Sequence, residues 1–176
     1  MINHLTIIIP TYNRYKKLSR IIKYFDSVNF SPKIVILDSS IDKEQAGKIE
    51  ILKCKHIQYY EFSDNICFFD KISKGIQEIK TPYAVLCADD DFISPFSIYK
   101  CIDFLETVHD YCSVHGRYMA FWIKDDKIVR IHPAYYHGRN LDIGSDDLDI
   151  RLKQYFSAYT PMFYSVCRTE ILKLYA

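Results

Sequence analysis

Short apolar runs alternating with amphipathic stretches constrain this chain more than any other feature. Residues 5–9 (Leu-Thr-Ile-Ile-Ile) form a nearly continuous run ended by Pro10, the pattern of a strand buried on both faces. Beyond it, Asn13 can cap a helix whose apolar positions Leu18, Ile21, Ile22 and Phe25 recur at helical spacing, with Lys16, Lys17, Arg20 and Lys23 mainly elsewhere. Residues 33–37 repeat the strand pattern and stop at Asp38, Ser39 and Ser40. A polar helical segment over 42–52 then leads to a third strand at 57–60. Phe69, Ile72, Ile76 and Ile79 mark another helix, ended by Thr81 and Pro82. Residues 83–87 make a fourth strand that runs into Asp89, Asp90 and Asp91. Ser94 and Pro95 open a helix carrying Phe96, Tyr99, Ile102 and Leu105. This alternation predicts an α/β fold: a mainly parallel sheet covered on both sides, with right-handed crossovers.

Past Leu105 the rhythm changes. Residues 113–123 and 127–131 read as an antiparallel pair joined at Asp125 and Asp126, followed by a His- and Tyr-rich loop over 131–144. Residues 146–156 are expected to be helical, 162–167 a strand, and 169–175 the first turns of a helix. No repeat, linker or low-complexity segment divides the 176 residues, which are expected to form one domain.

Composition excludes several classes. With 49% hydrophobic and 26% charged residues the chain is not disordered. A net charge of +1, with basic residues spread along the chain, argues against a nucleic-acid partner. Six cysteines lack both zinc-site spacing and the density of a disulfide scaffold, and read as reduced, mostly buried thiols. Residues 5–10, the longest apolar run near the N-terminus, are too short to cross a bilayer and lack a signal-peptide layout. A cytoplasmic location is expected, with peripheral membrane association left open.

In parallel sheets ligands bind beyond the carboxyl ends of the strands. Three such ends here carry Pro10, Thr11 and Tyr12; Asp38, Ser39 and Ser40; and the acidic triplet. Three adjacent carboxylates without a basic residue close in sequence repel one another unless a cation joins them, and oxygen ligands at a strand end suit Mg²⁺ or Mn²⁺. The same triplet could equally be a solvated turn, with Asp91 capping the next helix. Asp38 can accept from a base imide or a ribose hydroxyl, or close an Asx turn. Thr11 and Tyr12 would lie under a nucleotide, while Arg14 and Lys71 are the basic residues best placed to approach its phosphates.

Four motifs in order, Thr6 to Arg14 (TIIIPTYNR), Ile34 to Ser40 (IVILDSS), Lys74-Gly75, and Tyr83 to Asp91 (YAVLCADDD), resemble those of the family two nucleotide-sugar glycosyltransferases of GT-A fold. The resemblance covers about the first two thirds of the chain. It implies a Rossmann-like three-layer sandwich with a nucleotide-binding half over 1–107 and an acceptor-side portion over 108–176. It also implies transfer of a sugar from a nucleotide donor, usually a UDP-sugar, to an acceptor hydroxyl with inversion, in polysaccharide or glycan biosynthesis. Thr11, Tyr12 and Asp38 would then serve the nucleoside, Lys71 the diphosphate, and the triplet the metal. The family writes its acidic motif Asp, any residue, Asp, Asp. Counted back from Pro95, its first Asp falls on Ala88, which leaves Asp90 as the direct ligand with Asp89 and Asp91 in support.

The family's general base normally follows the segment that residues 161–172 resemble, and the sequence ends at Ala176, so the acceptor-side portion is expected to be incomplete. Asp146 and Asp147 are the remaining base candidates, although they precede that segment. A binding module that holds the donor but lacks a base is the alternative. A nucleotidyltransferase is weakened by the absence of a Gly-rich, Lys-containing loop after the first strand. A haloacid-type phosphatase is disfavoured because its nucleophilic Asp would stand where Pro10 to Tyr12 do.

Overall fold

The structure is a computed structural model that describes residues 2–42, 54–125, 127–134, 142–157 and 161–176. Its order of elements follows the alternation in the sequence. β1 (Leu5–Thr11) is buried throughout, and α1 (Tyr15–Ser27) buries Tyr15, Leu18, Ile21, Ile22 and Phe25. Next come β2 (Lys33–Asp38), β3 (Ile57–Glu61), α2 (Phe68–Gln77), β4 (Tyr83–Leu86) and α3 (Pro95–Thr107). The helix expected over 42–52 lies, apart from Asp42, outside the described residues.

Two compact units account for the chain, Met1–Val114 with Phe163–Ala176, and His115–Met162. The first holds a six-stranded sheet in the order β3-β2-β1-β4-β8-β5, where β5 is Ser113–Val114 and β8 is Val166–Arg168. β3, β2, β1 and β4 are parallel, and β8 runs antiparallel to both its neighbours. Successive residues of β1 point to opposite faces. Ile7 and Ile9 pack with Leu18, Ile22, Ile98 and Ile102 of α1 and α3, while Ile8 packs with Ile72 and Ile76 of α2. Leu172 of α5 (Thr169–Leu174) joins the α2 side. Three layers result.

Arg168, on β8, donates to the carbonyls of Leu105 (2.6 Å), Tyr111 (2.9 Å) and Val108 (3.3 Å), tying the end of α3 to the approach to β5. This caps carbonyls that the last turn of a helix leaves without partners. The second unit contains the antiparallel pair β6 (Tyr118–Lys124) and β7 (Lys127–Ala134), with Asp125 at φ 51° in the turn, and α4 (Leu148–Ser157). Tyr118 donates its hydroxyl to the Pro161 carbonyl within this unit.

Several expectations are corrected in detail. Residues 113–123 are two strands in different sheets, and only 166–168 of the expected final strand pair with the main sheet. Phe69 and Phe96, placed in apolar stripes, are exposed, because they sit in the opening turns of their helices beyond the reach of the sheet. Asn13 is not the cap of α1: it adopts φ 55°, which Asn tolerates better than most residues, and its side chain accepts from the Ile41 amide instead. Ser94 does cap α3, accepting from the Ser97 amide, with Pro95 at the first helical position. All six cysteines are free, but only Cys87 and Cys101 are buried. Among the described residues no helix is long and apolar enough to cross a membrane.

Gly75 sets the separation of α2 from β2. A Cβ built there would stand 2.4 and 2.7 Å from the two Cδ atoms of Leu37, which is itself fully buried and cannot retreat into solvent. Gly75→Ala should therefore overpack this face and destabilise the fold by about 1–3 kcal/mol, read as a lower urea midpoint with an unchanged slope.

Candidate functional site

Parallel pairing brings the expected groups together. Thr11 pairs with Asp38 at the carboxyl ends of β1 and β2, and the triplet leaves the end of β4 on the other side of β1. Pro10, Thr11 and Asp38 are strand residues, while Tyr12 follows β1 with its ring about half exposed.

Asp38 is fully buried. One carboxylate oxygen accepts from the Ser40 amide (2.7 Å) and the Ser40 hydroxyl. The other accepts from the hydroxyls of Tyr15 (3.0 Å) and Tyr59. Four donors fill the acceptor capacity of one carboxylate. Burial pushes the Asp38 carboxyl upward, but the bonds from Ser40, Tyr59 and Tyr15 outweigh it and leave the group below its ordinary 3.8. The same burial and the bond to Asp38 raise the Tyr59 phenol. Asp38 thus fixes the loop after β2, whose Ser40 hydroxyl in turn accepts from the Asn13 amide (2.7 Å).

Lys71 reaches up from α2, almost wholly buried, and donates to the Thr11 carbonyl (3.0 Å) and the Ser39 hydroxyl (2.7 Å). It lies beneath the strand ends and braces them. The three triplet carboxylates differ from one another. Asp89 is 3% exposed and accepts from the Thr11 hydroxyl (2.7 Å) and from Arg14 (3.2 Å). Asp90 is partly exposed, and one of its oxygens accepts from both Lys17 (2.8 Å) and Arg14 (3.2 Å). Lys17, with Arg14 beside it, holds the Asp90 carboxyl below the usual carboxylate range. Asp91 accepts from the hydroxyl of Tyr164, which burial and that bond raise well above an ordinary phenol.

Part of the positive charge that meets the triplet comes from the chain itself. Arg14 and Lys17 stand 73 to 76 residues away in sequence and reach the triplet only through the crossover from β1 to α1. Asp91 caps no helix either; its partner is Tyr164. Among the described residues no three His, Cys, Asp or Glu side chains converge as a closed metal cage would. Carboxylates at a surface suit a hard cation that is shared with phosphate oxygens, as Mg²⁺ commonly is held. Asp90 and Asp91 are the members of the triplet that could contribute to such a site, since Asp89 is buried and engaged by Thr11.

Asp146 and Asp147 lie in the second unit. Asp147 accepts from the amides of Asp149 (2.8 Å) and Ile150 (3.2 Å), capping α4. A hollow of about 400 Å³ lined by Lys80, Thr81, Arg168 and Lys173 opens at the amino end of β4, away from the triplet.

Residues 6–173 match the family described as glycosyl transferase family 2. The chain belongs to that family. Solved structures share its fold, GT-A. A 1–349 fragment of TarS from S. aureus superposes with a TM-score of 0.64 at 15% identity, covering 97% of this chain and 48% of that one. The same fragment in complex with UDP-GlcNAc gives 0.58 at 15% identity, over 97% and 47%. Mannosyl-3-phosphoglycerate synthase from Rubrobacter xylanophilus gives 0.55 at 13% identity, over 96% and 54%. This chain thus spans about half the length of these three structures. Comparison with curated proteins finds no match.

Sequence reading missed Tyr15, Lys17, Arg20, Tyr59 and Tyr164 as parts of this site. Lys17 and Arg20 carried one usable signal, their spacing of three on the helix that follows Arg14. Because folding lowers the Asp38 carboxyl, its contribution to stability is complete above pH 3.8 and is lost as the pH falls through the lowered value. Asp38→Asn should cost about 2–3 kcal/mol at neutral pH, and denaturation across pH 2–7 should show that difference shrinking below pH 3.8.

Proposed function

We propose that this chain acts as a nucleotide-sugar glycosyltransferase, binding a UDP-sugar at the carboxyl ends of β1, β2 and β4 and passing the sugar to an acceptor hydroxyl with inversion. The observation that carries this reading is the meeting of Thr11, Arg14, Asp38 and the triplet at the ends of three adjoining parallel strands. Family membership and the likeness to a TarS fragment bound to UDP-GlcNAc support it. Glycan or polysaccharide assembly is the corresponding process.

In this reading the nucleoside lies over Thr11 and Tyr12, on a floor that Asp38 and Lys71 hold rigid from below. Its diphosphate faces Arg14 and the triplet. Asp90 and Asp91 would hold Mg²⁺ or Mn²⁺ together with diphosphate oxygens. Such an ion, when bound, offsets the charge that builds on the leaving diphosphate. Thr11 holds Asp89 in place, which fixes the backbone that presents the other two carboxylates. Asp146 and Asp147 are the carboxylates proposed to take the acceptor proton. Use of the Asp147 side chain as the cap of α4 favours a second reading, a donor-binding module without a base.

Thermal-shift titration tests the donor site. UDP with Mn²⁺ should raise the melting temperature more than either alone, and Asp90→Asn should weaken UDP binding in Mn²⁺ by tenfold or more, about 1.4 kcal/mol. An equal UDP response with and without metal would remove the ion from the proposal. Release of UDP from UDP-sugar separates the two readings: turnover supports the transferase, and tight binding without turnover supports the module.

A further inference from the structure

The face of α1 that meets the acidic loop is built as a clamp. Lys17, Arg20 and Tyr24 are three and four residues apart and so share one side of the helix, with Arg14 immediately before its first turn. Arg14 and Lys17 both donate to the same oxygen of Asp90, at 3.2 and 2.8 Å. Arg20 donates to the Asp90 carbonyl (3.0 Å) and lies over the Phe92 ring at 5.3 Å. Tyr24 donates to the Ile93 carbonyl (3.2 Å) and meets Phe92 edge-on at 5.0 Å. The loop is thus held twice, by its backbone and by the Asp90 side chain.

We propose that Lys17, with Arg14, is a built-in counter-ion of Asp90 that a divalent ion must displace, so that the metal binds tightly only together with a diphosphate that takes over the released cations. The inference rests on the donor reading above. A divalent ion on the shared Asp90 oxygen would sit beside two positive charges, and like charges at such range repel strongly outside bulk water. Lys17 and Arg14 are both about half exposed on flexible stems, so they can swing off Asp90 without leaving the surface. A nucleoside diphosphate provides the anionic oxygens they then require. Arg20 and Tyr24 meanwhile keep the loop backbone where it is. Reciprocity makes the coupling run both ways: whatever UDP does for Mn²⁺ affinity, Mn²⁺ does for UDP affinity.

The test is Mn²⁺ binding to the full chain, followed by electron paramagnetic resonance, for wild type, Lys17→Met and Lys17→Arg, each with and without UDP. Lys17→Met should bind Mn²⁺ alone about tenfold more tightly than wild type, and UDP should tighten it less. Lys17→Arg should behave as wild type. A gain in affinity cannot come from a misfolded variant, and adding Asp90→Asn to Lys17→Met should abolish it. The proposal is overturned if Lys17→Met binds Mn²⁺ alone no better than wild type, or if neither protein binds it. The arm without nucleotide decides this inference, whereas absence of any UDP effect on either protein would instead overturn the donor reading.

Discussion

The hydrogen bond from the Thr11 hydroxyl to the buried carboxylate of Asp89 joins the carboxyl end of β1 to that of β4, and the geometry of the site depends on it. A charge at 3% exposure is tolerable only when it is well bonded, and Thr11 and Arg14 are the two donors that do so. With Asp89 anchored, the chain after β4 has one course, which puts Asp90 on the α1 side and Asp91 against Tyr164. Lys71 braces the same strand end from the opposite layer through the Thr11 carbonyl.

Two buried or half-buried acids flank β1 and are stabilised by different means. Asp38 is surrounded by neutral hydroxyls and an amide, so it is a rigid part of the floor with no cation able to leave it. Asp90 is paired with two half-exposed cations at the surface. Neutral donors fix a shape, whereas exchangeable cations leave a charge that a ligand can recruit. On the proposed donor reading, this contrast makes Asp38 part of the architecture beneath the nucleoside and Asp90 the carboxylate open to chemistry at the diphosphate.

The parallel core was legible because its strands are buried on both faces and read as continuous apolar runs: Leu5 to Ile9, Ile34 to Leu37 and Tyr83 to Val85 are all in the observed core. Helical stripes were legible where they meet the sheet, as with Leu18, Ile22 and Phe25, and failed at Phe69 and Phe96 where a helix extends past it. The position of the triplet at a strand end could be read, but not its partners. Lys17, Arg20 and Tyr164 reach it across more than 65 residues, and only the crossovers and the pairing of β4 with β8 bring them there. Asn13 misled for a local reason: a residue suited to capping is equally suited to a left-handed turn, and contact with Ile41 decides between them. Tyr15 and Tyr59 gave no signal, because a tyrosine that bonds a buried acid looks in sequence like one that fills a core.

Donor binding at the joined ends of β1, β2 and β4 can be followed by amide hydrogen exchange, read by mass spectrometry with and without UDP and Mn²⁺. Exchange should slow in residues 11–14, 38–41 and 89–93 together, with the amino end of β4 and the hollow beside Lys80 unchanged. Protection confined to that hollow or to the second unit, with the three strand ends unaffected, would contradict it.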